Sequence, residues 1–331
     1  MKTTSLGRGG PECSQFGIGA MSFAGIYGDA SEAESHAVLD ACLEAGVSHI
    51  DTSNVYGMGR SETIIGTWLA ARPDARDKMT IATKAGITRR DGLRVYDNSL
   101  EHLEAELDGS LERLGTDQVD LFYVHRREKE RPIEAVTEAL AQLVAKGKTK
   151  TIGFSEIAPS SLRRAVTVHP VAAVQSEYSL STRSPELGLV QACAEVGTTL
   201  VAFSPVGRAF LTDAPFGPEK VESFPFCKSN PRFQEPNYSA NIQATDAFRT
   251  LAADMGLPAA GLAIAWLCAQ GDHVLPIPGT KSVDHLAELL AGMTVTLSAE
   301  DLARIEQVLP VGWCHGDRYD DDQWIGPERY C

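Results

Sequence analysis

Three short apolar segments of the sequence each lead to side chains that can hold or transfer a proton. These side chains are a carboxylic acid, a phenol, an amine and an imidazole: Asp51, Tyr56, Lys84 and His125. In a barrel of parallel strands the carboxyl ends of all strands meet at one rim, so residues far apart in sequence can lie together there. We therefore predict that the four side chains form one site that can move a proton.

Such a site fits the reduction of a carbonyl group. Hydride addition leaves an alkoxide, which must take up a proton as it forms. Tyr56 could donate that proton, because Lys84 beside it would lower the ordinary phenol pKa of about 10. Asp51 would keep Lys84 charged and in place, and His125 would hydrogen-bond the carbonyl oxygen. None of the four can supply a hydride, so the reaction requires a cofactor.

Each residue also has a structural interpretation when taken alone. Asp51 could cap a helix, Tyr56 could pack in a loop, and His125 could be a hydrogen-bonded core residue. Lys84 is harder to explain in this way, because a buried lysine needs a partner such as Asp51. Other chemistries fit less well. The sequence has no HxH or HExxH pair for a metal and no GxSxG segment for a serine nucleophile, and a lysine beside an aspartate stays protonated and is a poor nucleophile for a Schiff base.

Strand-like and helix-like segments alternate almost from end to end of the chain. The predicted barrel strands are 15–21, 48–52, 78–83, 119–125, 150–154, 172–176, 199–203 and 273–279. The predicted helices are 31–45, 61–71, 99–114, 133–146, 160–168, 185–196, 243–255, 282–291 and 299–308.

This alternation leaves two candidate folds. An open doubly wound sheet normally carries a GxGxxG turn after its first strand, and QFGIGA at 15–20 lacks the third glycine. We therefore predict an α/β fold: a (β/α)8 TIM barrel that spans 1–331 as a single domain, preceded by a short hairpin at about 2–14.

Two segments lie outside the alternation. A stretch rich in proline, glycine and phenylalanine, 207–241, follows the seventh strand, and loops of this length are usually lids or disordered. Its five phenylalanines favour a lid over the rim. The C-terminal tail, 310–331, ends in an acidic and aromatic segment, to which the sequence assigns no role.

The composition excludes some classes of partner. The net charge is −14 and no basic block occurs, which argues against a nucleic acid or an anionic membrane. No segment approaches the ~18 consecutive apolar residues of a membrane helix, and the N-terminus lacks the apolar run of a signal peptide. The seven cysteines are scattered without a CxxC pair, as is typical of free thiols in a reducing compartment. We expect a cytoplasmic protein with a small-molecule partner.

Eight segments, in this order and spacing, resemble the aldo-keto reductase superfamily, and most closely its microbial branch of aryl-alcohol-dehydrogenase-like and pyridoxal-reductase-like enzymes. The segments are DTSNVYG, TIATKAG, LFYVHR, GFSE, VQSEYS, AFSPVGR, PRFQEPNYSAN and LPIPGTKS. The resemblance covers roughly residues 1–310. It implies a (β/α)8 barrel that binds NADPH without a Rossmann fold, and a catalytic tetrad of Asp51, Tyr56, Lys84 and His125 with Tyr56 as general acid.

The resemblance also implies which residues bind the cofactor. Those at the nicotinamide would be Ser155, Gln175 and Phe203. Those at the pyrophosphate would be Ser204, Val206, Gly207 and Arg208. Those at the 2′-phosphate and the adenosine would be Gly279, Thr280, Lys281, Ser282, His285 and Glu288. The last group agrees with the charge argument, because an ammonium, two hydroxyls and a helix N-terminus would together favour an anion in an acidic protein.

Three positions depart from the family pattern. Glu156 stands where an asparagine beside the carboxamide is usual, His285 stands where an arginine often pairs with the 2′-phosphate, and Leu289 follows Glu288 where an asparagine is common.

The sequence thus predicts the NADPH-dependent reduction of an aldehyde or ketone to the alcohol. The alternative is a nucleotide-binding regulatory or redox-sensing subunit of the same fold, with little turnover. Such a sensor would tolerate loss of the tetrad, whereas all four residues are present here.

Overall fold

The computed structural model describes residues 1–330. Its strands are, in chain order, β1 (Thr3–Ser5), β2 (Glu12–Ser14), β3 (Gly17–Gly19), β4 (His49–Asp51), β5 (Thr80–Ala85), β6 (Ile87–Arg90), β7 (Leu93–Tyr96), β8 (Val119–Val124), β9 (Thr149–Ser155), β10 (Ala173–Glu177), β11 (Thr199–Phe203) and β12 (Val274–Pro276). Its helices are α1 (Glu32–Glu44), α2 (Arg60–Ala71), α3 (Leu100–Leu114), α4 (Ile133–Ala145), α5 (Pro159–Ala165), α6 (Leu189–Val196), α7 (Pro218–Ser223), α8 (Pro225–Lys228), α9 (Asn237–Ala244), α10 (Asp246–Asp254), α11 (Ala259–Cys268), α12 (Val283–Ala291) and α13 (Ala299–Val308).

Eight parallel strands form one curved sheet in the order β3-β4-β5-β8-β9-β10-β11-β12. Every neighbouring pair in this order is parallel. The two ends of the sheet approach each other, because the N–H of Gly19 on β3 donates to the carbonyl of Pro278, just beyond β12, at 2.9 Å. The predicted (β/α)8 barrel is therefore confirmed, and the doubly wound alternative is excluded.

The barrel has an inner and an outer layer of apolar side chains. Between the sheet and the helices lies the larger core, to which Trp68, Phe122 and Phe154 contribute rings. Inside the barrel lies a smaller cluster that includes Tyr123, Val201 and Leu275. The predicted N-terminal hairpin is present as the antiparallel pair β1–β2. It covers the amino-terminal end of the barrel, where Thr199 at the start of β11 accepts a hydrogen bond from the N–H of Gly7 at 2.9 Å.

The local signals in the sequence predict the helix ends well. Ser31 and Glu34 form a reciprocal capping box at the start of α1, and Gly115 ends α3 in the left-handed conformation with a φ of 66°. Most predicted bounds lie within three residues of the observed ones. The predicted helix 185–196 is the exception, because it begins as a 3-10 turn at Ser184–Leu187 and is α-helical only as α6.

Three insertions lie at the carboxyl end of the barrel. The hairpin β6–β7 directly follows β5 and was not predicted from the alternation. The predicted lid, 207–241, is folded: it contains α7, α8 and the start of α9, and it has its own apolar cluster around Phe210, Phe224 and Phe233. The C-terminal tail returns across the rim, where the N–H of Glu328 donates to the carbonyl of Glu156 at 2.8 Å.

No single helix in the described part of the chain is long and apolar enough to cross a membrane. The segments Asn237–Asp254 and Ala259–Cys268 are long and apolar enough only when taken together, and they are bent by 86° relative to each other. Cysteines 13, 42, 193, 227, 268 and 314 are all free thiols.

Candidate active site

The ends of three adjacent strands position the predicted tetrad. Asp51 is the last residue of β4, Lys84 lies near the end of β5, and His125 directly follows β8. Tyr56 lies in the loop after β4. Gly57 and Gly59 turn this loop into α2 with φ values of 62° and 91°, a conformation that glycine adopts readily.

A buried ion pair lies at the centre of the tetrad. The ammonium of Lys84, which is fully buried, donates hydrogen bonds to the Asp51 carboxylate, to the carbonyl of Thr52 at 2.7 Å and to the hydroxyl of Tyr56 at 3.4 Å. The other carboxylate oxygen of Asp51 accepts from the side-chain amide of Gln175 at 2.7 Å. Burial disfavours the Lys84 ammonium, but Asp51 and Tyr56 outweigh it and raise the pKa of Lys84. The lysine therefore stays charged.

Tyr56 is half-buried and its hydroxyl lines a cavity. Burial raises the pKa of Tyr56, and the neighbouring Lys84 opposes this effect without reversing it. The expected net lowering of this pKa is therefore wrong for the structure as it stands. A phenol with a raised pKa remains protonated near neutrality, which is the form that can donate a proton.

His125 lies beside Tyr56, with the two rings edge to face and their centroids 5.8 Å apart. The Nδ1 atom of His125 lies 3.0 Å from the hydroxyl oxygen of Ser53. Burial, together with Arg126 and Lys84, holds the pKa of His125 well below its ordinary value. The imidazole is therefore neutral, so one of its two ring nitrogens carries a proton and the other accepts.

One cavity of about 1400 Å³ connects the tetrad to the start of α12. All the predicted site residues except Lys84 and Gly207 line it. Lys84 lies behind Tyr56, and Gly207 is a buried residue of the loop that follows β11. The structure thus brings together the predicted catalytic and cofactor-binding residues at a single site.

Several residues on the cofactor side of this cavity have strained backbones. Ser204, Arg208 and Ala209, which line the cavity, and Glu156, which lies beside it after β9, have φ values between 51° and 76°, a region that non-glycine residues rarely adopt. Each such residue costs on the order of 1–3 kcal/mol, and such residues tend to cluster at ligand sites. Gly279 closes the far side, where an added Cβ would meet the carbonyl oxygen of Gly19 at 3.0 Å. The strained residues and the close approach at Gly279 are features typical of a ligand-binding site.

One cation, the ammonium of Lys281, lines the cavity at the start of α12. Lys281 donates to the carbonyl of Asp29 at 2.6 Å and forms no ion pair among residues 1–330, so its charge is not neutralised by a carboxylate. The side chain of Ser282 caps α12 by accepting from the N–H of His285. The residues present here fit an anionic group such as a phosphate.

Arg208 differs from the other predicted cofactor residues, because its guanidinium is already bound. It donates to Glu177 at 2.7 Å and to the carbonyl of Arg318 at 2.8 Å. Glu177, Arg208 and Arg318 belong to a buried group of five charged side chains, which we call the tail cluster: Glu156, Glu177, Arg208, Arg232 and Arg318.

The tail cluster explains the unusual glutamate at position 156. Glu156 accepts hydrogen bonds from the guanidinium of Arg318 through both of its carboxylate oxygens. Burial would raise the pKa of Glu156, but Arg318 outweighs it and the pKa is lowered. This pair holds the tail against the rim, where Tyr319 and Gln323 line the cavity. The tail, to which the sequence assigned no role, is one wall of the site.

Sequence reasoning also missed Arg126. Its guanidinium donates to the carbonyl of His125 at 2.7 Å, to the hydroxyl of Ser155 at 2.9 Å and to the hydroxyl of Tyr319 at 3.3 Å. The position was visible in the sequence, since it directly follows His125 at a strand end. Tyr319 was not visible, because no spacing rule relates the tail to the barrel rim.

Comparisons with known proteins agree with this geometry. The Aldo/keto reductase family model matches residues 15–310. The chain is 38% identical over 308 residues to the aldo-keto reductase yakc [NADP(+)] of Schizosaccharomyces pombe, covering 92% of this chain and 90% of that protein. It is 36% identical over 325 residues to the probable aldo-keto reductase 1 of Glycine max, covering 96% of this chain and 92% of that protein.

Among solved structures, the glycerol dehydrogenase of Gluconobacter oxydans superposes with a TM-score of 0.81 at 24% identity, covering 96% of this chain and 97% of that one. This similarity supports the barrel fold. The match of the family model to most of the chain, together with the two sequence relatives, shows that the chain belongs to the aldo/keto reductase family.

Proposed function

We propose that the protein reduces an aldehyde or ketone to the alcohol with NADPH, and that Tyr56 is the general acid. The observation that carries the proposal is the contact of the Tyr56 hydroxyl with the buried Lys84 ammonium, at 3.4 Å, in a cavity that also reaches His125 and, at the start of α12, Lys281. NADPH, when bound, supplies the hydride.

The chain's own residues would handle the proton. Tyr56 is protonated near neutrality and would transfer its proton to the carbonyl oxygen as negative charge develops there. Lys84 would stabilise the phenolate that remains, because its ammonium lies beside the hydroxyl and stays charged. In the tautomer in which Nδ1 of His125 accepts from the Ser53 hydroxyl, the Nε2–H of the neutral imidazole would be free to donate to the same carbonyl oxygen.

The positions of the proposed cofactor-binding residues along the cavity fit the parts of NADPH that they would bind. Ser155 ends β9 and Gln175 lies in the middle of β10, where its side chain bonds to Asp51 of the tetrad, and Phe203 at the end of β11 lines the wall beyond them, as a nicotinamide would require. Lys281 and Ser282 would bind the 2′-phosphate that distinguishes NADPH from NADH. The name of the Schizosaccharomyces pombe relative, which includes NADP(+), supports this choice.

The test is NADPH oxidation with a panel of aldehydes, aromatic ketones and quinones, for the wild type and for Tyr56→Phe. We expect Tyr56→Phe to lower kcat by on the order of 10²–10⁴-fold, as for loss of a general acid, while NADPH binding is retained. Tyr238→Phe is a matched control, because the Tyr238 hydroxyl bonds to the carbonyl of Phe216 in the lid and does not line the cavity.

Two outcomes would contradict the proposal. A Tyr56→Phe variant with wild-type kcat would show that another group donates the proton. Binding of NADPH without turnover of any carbonyl compound would instead favour the nucleotide-binding subunit.

A further inference from the structure

Three arginines line the cavity on the side of the hairpin β6–β7 and the end of β8. Arg89 lies on β6, Arg94 on β7, and Arg126 directly after β8, and all three line the cavity. We propose that the natural carbonyl substrate carries an anionic group, a carboxylate or a phosphate, which these arginines bind. The proposal rests on the function proposed above and adds the chemical class of the substrate.

The register of the hairpin places two like charges opposite each other. Arg89 and Arg94 are paired residues in the antiparallel ladder of β6 and β7, so their side chains lie on the same face. Like charges in this position destabilise a hairpin unless an anion compensates them. Both arginines are exposed to solvent and line the cavity, and Arg89 has one hydrogen bond, to the carbonyl of Gly92 at 3.0 Å, so a bound anionic ligand could supply that compensation.

No carboxylate among residues 1–330 lies within ion-pair distance of these three arginines. Most arginines in the chain lie within 4 Å of a carboxylate oxygen, whereas Arg89, Arg94 and Arg126 form no ion pair with any part of the described chain. With a net charge of −14 the protein has carboxylates in excess, so three unpaired arginines around one cavity indicate a use for their charge.

Arg126 is the member of the group closest to the tetrad. Its three bonds all go to neutral oxygens, which leaves two of its five N–H groups without a partner in the described chain. Arg126 and Arg94 both contribute to the lowered pKa of His125, so both charges lie near the imidazole. An anionic group bound here would therefore be held only a short distance from a carbonyl at Tyr56.

The carboxylates on the same cavity do not cancel this charge. Asp51 is paired with Lys84. Glu106 accepts a hydrogen bond from the side chain of Asn54 at 2.6 Å and makes no ion pair among residues 1–330. Glu34, Asp213 and Glu288 also line the cavity without an ion pair among residues 1–330, but they lie on α1, in the loop after β11 and on α12, away from the hairpin in the fold order. On the hairpin side, three unpaired arginines therefore face one unpaired carboxylate, that of Glu106.

The test compares matched charged and neutral substrates, so that shape and reactivity stay similar. The carboxylate arm pairs 4-carboxybenzaldehyde with methyl 4-formylbenzoate, and succinic semialdehyde with butanal. The phosphate arm pairs 4-formylphenyl phosphate with 4-methoxybenzaldehyde. We expect the charged member of at least one arm to have a kcat/KM about 10- to 150-fold higher, the range of a charge-assisted contact. This advantage should shrink as ionic strength rises.

Variants on the hairpin identify the source of the preference. Arg94→Gln, and the double variant Arg89→Gln/Arg94→Gln, should remove most of the charged-over-neutral ratio, and Arg94→Lys should restore part of it. Arg90→Gln is a matched control on the same hairpin, because Arg90 does not line the cavity and lies 3.9 Å from Asp97. A ratio that changes equally in Arg90→Gln and Arg94→Gln would overturn the assignment.

A binding measurement separates this inference from the proposed function. Calorimetry with NADP⁺ present would compare 4-(hydroxymethyl)benzoate with 4-methylbenzyl alcohol. Tighter binding of the carboxylate that is lost in Arg94→Gln supports the anion site even if no carbonyl is reduced. Robust turnover of neutral carbonyls without any charged preference, or equal binding of the two alcohols, would overturn the anion site, and the first of these results would leave the reductase function intact.

Discussion

Two buried groups of charges lie on the rim of this barrel, and they differ in what surrounds them. The Lys84–Asp51 pair touches a titratable phenol, Tyr56, which is half-buried and faces the cavity. The tail cluster is instead covered by rings: Arg208 lies over Phe226 at 4.5 Å, and Arg318 lies over Trp324 at 4.7 Å. A buried charge is therefore not by itself the mark of a catalytic site.

The comparison separates two uses of the same interaction. In the tetrad, the lysine is held charged so that a neighbouring group can change its protonation state. In the tail cluster, the carboxylates of Glu156 and Glu177 accept bonds from arginines that never titrate in the accessible pH range, so the cluster fixes geometry. We expect changes in the first group to act mainly on catalysis and changes in the second mainly on stability and on the wall of the pocket.

The largest expected effect is that of Lys84→Met, which breaks the first group. It removes the cation that stabilises the Tyr56 phenolate and leaves Asp51 buried without its partner, a loss of about 3–5 kcal/mol in stability. We expect loss of turnover, a lower Tm and a changed pH–rate profile. Lys146→Met is the control, since it breaks only a surface pair with Glu104. An unchanged pH–rate profile would separate Lys84 from the proton transfer.

Arg318→Met should break the second group. The Glu156 carboxylate would stay buried with its main cation lost, which we expect to cost about 3–5 kcal/mol in the free energy of unfolding. The tail should also become more sensitive to protease, while the Tyr56–Lys84 contact persists. Urea unfolding and limited proteolysis measure the two effects. The exposed Arg329, which also lies over Trp324, provides the control Arg329→Met.

The double variant Glu156→Gln/Arg318→Met sharpens this test. If the pair is the source of the effect, the double variant should be more stable than Arg318→Met alone, because no buried carboxylate is left unpaired. Additive losses would show that the two residues act independently.

Lys281→Ala tests a charge that belongs to neither group: the Lys281 ammonium lines the cavity and donates to the carbonyl of Asp29. Such a charge is available to a ligand, and a charge-assisted contact contributes about 1.5–3 kcal/mol, or roughly 10- to 150-fold in affinity. We expect the Kd of NADPH to rise by that factor and the Kd of NADH to change little. Fluorescence titration with both nucleotides measures this. Equal weakening of both would place Lys281 away from the 2′-phosphate.

The sequence allowed the prediction of the first group and not of the second, for a physical reason. Asp51 and Lys84 end adjacent parallel strands, so the fold alone brings them together once the barrel is inferred. Glu156 was visible only as a departure from the family pattern. Its partner Arg318 lies 162 residues away, in a tail without periodicity, and only tertiary packing decides where that tail lies.

Tertiary packing, which local sequence signals do not report, also decides where the hairpin β6–β7 lies at the rim. The strand and helix bounds follow from local apolar periodicity and capping signals, which neighbouring residues determine. The hairpin β6–β7 is short, and its four-residue strands carry three of the chain's arginines on mostly exposed positions, so no alternation of buried and polar residues marks it. Arg89 and Arg94 consequently became candidates only when the structure placed them on the cavity.

The smallest expected effect is a pH dependence of the free energy of unfolding, and it comes from Glu156 in the tail cluster. The folded-state pKa of Glu156 is lowered because Arg318 outweighs burial. A carboxyl with a lowered folded pKa contributes stability above its unfolded value, about 4.3 for glutamate, and this contribution is lost as pH falls through the folded pKa. The lost part amounts to about 1.4 kcal/mol for each pH unit by which the folded pKa lies below the unfolded one.

Urea unfolding between pH 7 and pH 3 measures this contribution. Glu156→Gln should be less stable than the wild type at pH 7, and the difference should narrow below about pH 4.3 as the wild-type carboxyl takes up its proton. Glu130→Gln, at an exposed glutamate without an ion pair, should follow the wild type at every pH. If the difference between Glu156→Gln and the wild type stayed constant over the whole range, the ionised Glu156–Arg318 pair would contribute nothing to stability. The tail would then be held on the rim by its other contacts, among them the ion pair of Glu328 with Arg127, the hydrogen bond from Arg208 to the carbonyl of Arg318 and the packing of Trp324.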